Sequence, residues 1–169
     1  PKCIWLTGIS GSGKTTIGNA LEQILHSNKK LTYFLDGDNL RLGVNKDLGF
    51  LPNDRVENIR RVAEISKLMV DAGLIVIVAT ISPFENERNF ARSLFEKNEF
   101  IEIFVNTPIS ICKSRDPKGL YKKASKEKKL NKIGLGSSYQ IPKKPDYIVS
   151  TEKDSSDQIA QSVFRKYFL

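Results

Sequence analysis

The nine residues GISGSGKTT at positions 8–16 constrain the fold of this chain more than any other stretch of its sequence. They contain the pattern G-x-x-x-x-G-K-[ST], with Gly8, Gly13, Lys14 and Thr15 at its fixed positions. The apolar run CIWL precedes the pattern and an amphipathic stretch follows it, so the pattern lies between a predicted strand and a predicted helix. Backbone N–H groups at a helix N-terminus hold phosphate oxygens well. The sequence therefore predicts a loop that binds the phosphates of a nucleotide.

The side chains of this loop have distinct expected tasks. The Lys14 cation is predicted to bridge the β- and γ-phosphates of ATP, and the Thr15 hydroxyl is predicted to bind Mg²⁺. The other predicted ATP contacts lie in the loop or at the start of the helix: Gly8, Ser10, Gly11, Ser12, Gly13 and Thr16. ATP and Mg²⁺ are thus the expected cofactors. The alternative is a glycine-rich turn that binds nothing.

Apolar runs and amphipathic stretches alternate along the chain, which predicts a three-layer α/β fold with a parallel sheet of about five strands and helices on both faces. Strands are predicted at 3–7, 31–35, 74–81, 100–105 and 147–151, and helices at 14–28, 52–72 and 85–97, from Pro108 and from Ser155. A length of 169 residues, with 40% hydrophobic and 27% charged residues, indicates a single domain over 1–169. The longest apolar run is too short to span a bilayer, so we expect a cytoplasmic protein.

The positive charge of the chain is concentrated in one segment. The net charge is +8, and residues 113–132 alone carry nine Lys and Arg against two acidic residues. Such a segment suits a basic lid over phosphates, predicted at about 115–140, and it also suits a solvated lysine-rich helix. Nucleic-acid surfaces usually add stacking aromatics, and this segment offers only Tyr121, so nucleic acid is disfavoured as a partner.

The cysteine and histidine side chains indicate structural roles. Cys3 and Cys112 are too few for a disulfide framework, and both are predicted to face the core. The single histidine, His26, falls near the end of the first predicted helix, where a surface or capping role is expected. No cluster of Cys and His has the spacing of zinc ligands.

Polar clusters follow other predicted strands at the end of the sheet where ligands of α/β proteins bind. In LDGDNLR, Asp36 and Asp38 are two apart, hence on one side if the strand continues. We assign Asp36 to Mg²⁺ and Asp38 to the proton of an attacking hydroxyl; a turn with a helix cap is the alternative reading. Further on, Arg55 and Asn58 share one face of a predicted helix, and Phe50 precedes it as an aromatic able to cover a base.

Together these segments resemble the adenylyl-sulfate kinase family, almost from end to end. The resemblance is carried by GISGSGKTT, LDGDNLRLGVNKDLGF, DRVENIRRVAEISKLMVDAG, ISPF, FIEIFV and RDPKGLYKKA. It implies a P-loop kinase of sulfate assimilation that phosphorylates the ribose 3′-hydroxyl of adenylyl sulfate, and it places Arg115 near the base of ATP. The substrate contacts that it implies are Asp38, Asn39, Arg41, Phe50, Arg55, Asn58, Ile81, Ser82 and Lys118.

The candidate catalytic residues are Lys14, Asp38 and Ser82. In some bacterial members of the family, the serine that matches Ser82 is described as a phosphoserine intermediate. Nothing near Ser82 in the sequence supplies a base, so we expect direct transfer to the substrate hydroxyl, with Ser82 as a binding residue.

The chain departs from the family pattern in one late segment. Where the family reads approximately GEI-x-x-FTGID-x-PYE-x-P, this chain reads EKKLNKIGLGSSYQIP. Without gaps, a phenylalanine expected to stack on adenine becomes Lys132, and three polar residues become Ile133, Gly136 and Gln140. Stacking of this kind is worth about 1–3 kcal/mol per base. An acceptor with another base, such as cytidine 5′-diphosphoramidate, is therefore an alternative to adenylyl sulfate.

A second alternative is a non-catalytic module that binds a nucleotide or nucleic acid. The intact set of Lys14, Thr15, Asp36 and Asp38 argues against it, because a binding module does not need both phosphate-transfer cations and carboxylates. The expected partners are small-molecule nucleotides, without membrane association, and a homodimer is left open.

Overall fold

The computed structural model describes residues 1–117, 119–122 and 138–169 of the chain. The elements in chain order are β1 (Lys2–Thr7), α1 (Lys14–Ser27), β2 (Thr32–Asp36), α2 (Gly37–Leu42), α3 (Pro52–Asp71), β3 (Ile75–Ala79), α4 (Glu85–Ser93), β4 (Phe100–Val105), α5 (Ile109–Arg115), β5 (Tyr147–Val149) and α6 (Ser156–Phe168).

Five parallel strands form one sheet in the order β2-β3-β1-β4-β5. The central strand β1 pairs with β3 on one side and β4 on the other, with Leu6 opposite both Ala79 and Ile103. All strands run in the same direction, so their carboxyl ends meet at one edge of the sheet. Loops that leave this edge can therefore form a common site.

The two faces of the sheet are covered by different helices. Ile4 and Leu6 point to a core shared with α1 and α6, whereas Cys3 and Trp5 point to a core shared with α3 and α4. This alternation follows from the two-residue period of a strand. The predicted α/β fold, with a five-stranded parallel sheet and helices on both faces, is confirmed.

Several element boundaries differ from the sequence prediction. β3 ends at Ala79 rather than 81, because the chain turns before Ser82, whose φ is +38°. α4 ends at Ser93 rather than 97, because Phe95 has left the helix and packs against Phe100 with ring centroids 5.3 Å apart. β5 ends at Val149 instead of 151. Helix α2 was not among the predicted elements, although the alternative reading of Asp36 and Asp38 included a helix cap.

Both cysteines are fully buried and free, as predicted. The predicted capping box at the start of α6 is also present, since Ser155 Oγ accepts from the Gln158 backbone N–H and the Gln158 side chain accepts from the Ser155 backbone N–H. Within 1–117, 119–122 and 138–169, no helix is both long and apolar enough to cross a membrane.

Candidate active site

A cleft of about 1440 Å³ opens at the carboxyl ends of the strands. Most of the predicted site residues line it: Ser10, Gly11, Gly13, Lys14, Thr15, Thr16, Asp36, Asp38, Asn39, Arg41, Phe50, Arg55, Asn58, Ile81, Ser82 and Arg115. Gly8 and Ser12 are buried and lie outside its lining. Lys118 is outside the described residues, as are Lys132, Ile133 and Gly136.

Gly11 and Gly13 of the phosphate loop are needed both for conformation and for space. Gly11 has φ +78°, and a Cβ there would lie 2.9 Å from the Cys112 carbonyl oxygen. Gly13 has φ +104°, and a Cβ there would lie 2.8 Å from Thr151 Cγ2. Positive φ angles are costly for L side chains. The glycines thus let the loop approach α5 and Thr151 closely as it enters helix α1.

The cation and the hydroxyl of the motif lie at the first turn of α1. Lys14 Nζ donates to the carbonyl oxygens of Gly8 and Ile9 at 2.9 and 2.8 Å, so it stays over the loop. The Thr15 hydroxyl donates to Asp36 Oδ2 at 2.8 Å. The phosphate motif and the acidic residue at the end of β2 are therefore in direct contact.

The loop is supported by hydrogen bonds that the sequence did not predict. The hydroxyls of Thr107 and Thr151 both donate to the Ser12 carbonyl at 3.0 Å. The Tyr121 hydroxyl donates to the Ser10 carbonyl at 2.8 Å. Arg115, at the end of α5, donates to the Thr151 hydroxyl and carbonyl at 2.6 and 2.9 Å. Each contact joins segments far apart in the chain, so no local pattern could have revealed it.

Asp36 and Asp38 do not lie in one strand, so the expectation that a continuing strand would place them on the same side is wrong. β2 ends at Asp36, and Asp38 lies in the first turn of α2. The reason is that Asp36 Oδ1 accepts from the Asp38 backbone N–H at 2.9 Å and so caps the helix. The capping alternative was thus correct for Asp36, yet both carboxylates still line the cleft.

An aromatic ring in contact with two cations forms the far wall of the cleft. The guanidinium carbons of Arg41 and Arg55 lie 4.6 and 5.5 Å from the Phe50 ring centroid. The Arg41 side chain donates to the Gly49 carbonyl at 2.8 Å, and Arg55 Nε donates to the Phe50 carbonyl at 3.0 Å. Burial lowers the pKa of both arginines, and for Arg55 repulsion by Arg41 adds to the effect. Two cations this close favour an anionic ligand.

Asn58 is held by a buried residue that the sequence analysis missed. Asn45 is fully buried, and its side-chain amide donates to Asn58 Oδ1 at 3.0 Å. Asn58 is itself only 5% exposed and lines the cleft. The Asn45 contact therefore fixes the orientation of the Asn58 side chain.

The third wall, at Ile81–Pro83, carries a buried hydroxyl. Ser82 is 1% exposed, and its Oγ accepts from Trp5 Nε1 at 3.1 Å and donates to Thr7 Oγ1 at 2.9 Å. The Thr7 hydroxyl donates in turn to the Ile81 carbonyl at 2.8 Å. No carboxylate or histidine is among these described partners of the Ser82 hydroxyl.

A buried carboxyl group stands behind the same wall. Glu87 in α4 is 6% exposed, and desolvation raises its pKa to about 7, despite the opposing effect of the Phe84 backbone N–H and the cations Arg88 and Arg55. A carboxyl with this pKa changes its charge near neutral pH.

Of the four departures Lys132, Ile133, Gly136 and Gln140, Gln140 is the one that lies among the described residues. Its Oε1 accepts from the Glu85 backbone N–H at 2.7 Å, at the start of α4. A glutamate oxygen would make the same contact, so this difference concerns the capping of α4 rather than the lining of the cleft.

Comparisons with a family model and with known proteins point to the same family. Residues 1–150 match the family described as adenylylsulphate kinase. The bifunctional enzyme NodQ of Rhizobium meliloti is 55% identical over 163 residues, which are 96% of this chain and 25% of that protein. The adenylyl-sulfate kinase of Pseudomonas aeruginosa is 52% identical over 157 residues, which are 93% of this chain and 80% of that protein. The chain thus spans about a quarter of the length of NodQ.

Solved structures agree with this match. The structure of the Mycobacterium tuberculosis APS kinase CysC in complex with AMPPNP and APS has a TM-score of 0.90 at 41% identity, covering 97% of this chain and 95% of that chain. Shikimate kinase from Aquifex aeolicus, at 19% identity and a TM-score of 0.56, shares the fold alone.

Proposed function

This chain belongs to the adenylylsulphate kinase family, and on that premise we propose that it transfers the γ-phosphate of ATP to the ribose 3′-hydroxyl of adenylyl sulfate. One observation carries the proposal: a single cleft is lined both by the phosphate loop and by eight of the nine acceptor-side residues that the family resemblance implies. The ninth, Lys118, is outside the described residues.

The phosphate loop would bind ATP. The loop amides and the start of α1 suit the β-phosphate. Lys14 would bridge from it to the γ-phosphate, the group that is transferred. Arg115, fixed by two contacts with Thr151, would lie beside the ATP base. Phosphoryl transfer passes through a loose transition state, so positioning and charge neutralisation by these groups should account for most of the rate.

Mg²⁺ is the expected partner of ATP in this proposal. Thr15 and Asp36 offer a hydroxyl and a carboxylate oxygen 2.8 Å apart, which is the hard oxygen chemistry that Mg²⁺ prefers. Within the described part of the chain there is no group of three or more His, Cys, Asp and Glu that could hold a metal alone. That agrees with Mg²⁺ sites that take most of their ligands from phosphates and water. When bound, the ion would neutralise phosphate charge.

Asp38 is our candidate for the base that takes the proton of the acceptor hydroxyl. It lines the cleft from the first turn of α2, adjacent to Asp36 and hence to the phosphate loop. A base in the cleft that holds both the phosphate loop and the acceptor-side residues would be suited to assist in-line transfer from ATP to an acceptor. The buried Ser82 hydroxyl has two partners and no described base, which supports direct transfer.

The far wall of the cleft suits the charge of adenylyl sulfate. Its phosphate and sulfate are anionic, and Arg41 and Arg55 supply two cations next to Phe50. Phe50 is 68% exposed, and its aromatic ring could cover a base. Asn58, oriented by Asn45, adds a fixed polar group.

The decisive experiment is steady-state turnover with a panel of acceptors. ADP formation is measured with ATP and Mg²⁺ against adenylyl sulfate, AMP and cytidine 5′-diphosphoramidate. We expect adenylyl sulfate to have the highest kcat/KM. Preference for the cytidine compound would establish the alternative acceptor, and ATP binding without turnover on any acceptor would favour the non-catalytic module. A homodimer remains a prediction, to be tested by sedimentation.

A further inference from the structure

The acceptor wall at 81–83 is fixed from behind by a side chain outside the lining of the cleft. Arg88 in α4 is 2% exposed, and its Nη1 donates to the Ser82 carbonyl at 2.7 Å. Its Nη2 donates to the Gln140 carbonyl at 2.8 Å, and its Nε lies 2.9 Å from Glu102 Oε1. We propose that Arg88 is a positioning residue that sets this wall for the acceptor nucleotide, an inference that rests on the proposed function.

The backbone conformation at Ser82 requires stabilising contacts of this kind. Its φ of +38° lies in the left-handed region, which non-glycine residues seldom occupy. The Ser82 side chain is held by Trp5 and Thr7, and the Ser82 carbonyl is held by Arg88. Because both the side chain and the carbonyl of Ser82 are hydrogen-bonded, the surrounding structure holds the residue in its strained conformation, as it must for such a conformation to persist.

A buried arginine is suited to this task in a way that lysine is not. The planar guanidinium presents three differently directed nitrogens, and here each has its own partner on a different segment: Glu102, Ser82 and Gln140. An ammonium group could keep the ion pair with Glu102 but could not reach both carbonyls in the same geometry. Water cannot readily replace the lost contacts, because the site is buried.

The same helix supplies a matched control. Arg92 lies one turn further along α4 and shares the Glu102 carboxylate, at 3.3 Å. Its other described contacts go to Asp146, at 2.6 Å, and to the Phe100 carbonyl and ring. Arg92→Lys therefore disturbs the same ion cluster without removing a contact to Ser82 or Gln140.

The inference predicts which kinetic constant changes. In Arg88→Lys the wall is displaced while the phosphate loop keeps its own supports, so kcat/KM for adenylyl sulfate should fall about 10- to 100-fold, as misplacement of a bound group does. KM for ATP should stay near the wild-type value. A residue with a purely structural role would lower the melting temperature or the active fraction without separating the two substrates.

The only tryptophan of the chain gives a readout that does not depend on activity. Trp5 Nε1 donates a hydrogen bond to Ser82 Oγ, so displacement of the wall at 81–83 should change the fluorescence of Trp5. We expect the emission maximum to shift in Arg88→Lys and to change less in Arg92→Lys.

The test compares wild type, Arg88→Lys and Arg92→Lys in melting temperature, Trp5 emission and kinetics with both substrates. Acceptor-selective loss confined to Arg88→Lys supports the inference; equal losses in both variants, or equal losses for ATP and acceptor, overturn it. If Arg88→Lys does not fold, Glu102→Gln replaces it in the test. This variant should show a smaller loss of kcat/KM for adenylyl sulfate, with KM for ATP unchanged. If it shows no such loss, the inference is overturned. If wild type turns over no acceptor, the proposed function fails separately, and a Trp5 emission unchanged by Arg88→Lys then overturns the inference.

Discussion

Gly13→Ala should destabilise the protein through a contact that can be removed separately. The φ of +104° at Gly13 imposes backbone strain of about 1–3 kcal/mol on an L residue. The new methyl would also lie 2.8 Å from Thr151 Cγ2, well inside the roughly 3.5–4.0 Å of a normal carbon contact. Overpacking of this kind costs about 1–3 kcal/mol. Together the two effects should lower the free energy of unfolding by about 2–6 kcal/mol, a large part of a typical domain's stability.

Thr151→Ser separates the two effects. It removes Cγ2 but keeps the hydroxyl that contacts Ser12, Thr107 and Arg115. Alone it should cost no more than one buried methyl group, about 0.8 kcal/mol. Combined with Gly13→Ala it should recover most of the steric cost, so that the double variant is more stable than the sum of the single variants by about 1–3 kcal/mol.

Urea unfolding of the four proteins measures this coupling, with Trp5 emission as the probe and a shared m-value as the test that only stability has changed. Additivity within about 0.5 kcal/mol would refute the idea that the Thr151 methyl group is what excludes a side chain at position 13. The whole cost would then lie in the backbone conformation.

Four further changes test the proposed roles. Lys14→Ala should lower kcat by about 10²–10³-fold, because a fixed charge opposite the transferred phosphate is lost; ADP release measures it, and near-wild-type turnover would remove the loop cation from the mechanism. Asp38→Asn should lower kcat by about 10²–10⁴-fold with little change in KM for ATP, whereas an unchanged kcat with a higher Mg²⁺ requirement would reassign Asp38 to the metal. Ser82→Ala should keep substantial turnover and form no phosphoprotein with ATP alone; a wild-type phosphoprotein that acceptor discharges at the turnover rate would contradict direct transfer. Glu87 has a pKa of about 7 in the folded protein against an ordinary 4.5, so the folded state binds more protons there and its stability declines as pH rises from about 4.5 through 7. Glu87→Gln should therefore be more stable than wild type at pH 8, by roughly 1–3 kcal/mol, with a difference that shrinks toward pH 5 in urea unfolding; a difference independent of pH would contradict the assignment.

The fold was predictable because its signals are local. The alternation of buried strands and amphipathic helices can be recognised from the hydrophobic pattern of short segments. The phosphate motif has fixed spacing and lies between a strand and a helix. Helix α2 was missed for the opposite reason. The residues DGDNLR suit a turn as well as a helix, and the contact of Asp36 with both Thr15 and the Asp38 backbone is known only once α1 and β2 are packed together.

The supports of the site could not be predicted from the sequence. The Thr151 hydroxyl reaches the Ser12 carbonyl across 139 positions, and the Tyr121 hydroxyl reaches the Ser10 carbonyl across 111. Asn45 falls within the segment LDGDNLRLGVNKDLGF, but nothing in that segment distinguishes it from its neighbours as the support of Asn58. Such residues are defined by where distant segments meet, and a single sequence contains no signal for that meeting.

The end of β1 has a consequence for how acceptor preference could be altered by design or by selection. Thr7, its last residue, bonds to the Ile81 carbonyl, the Ser82 hydroxyl and the Tyr139 hydroxyl, and the next residue begins the phosphate loop. A substitution that shifts this strand end would therefore move both substrates at once. The far wall of the cleft, at residues 37–58, follows the edge strand β2. We therefore expect substitutions in this wall to change base preference with the smallest loss of ATP use.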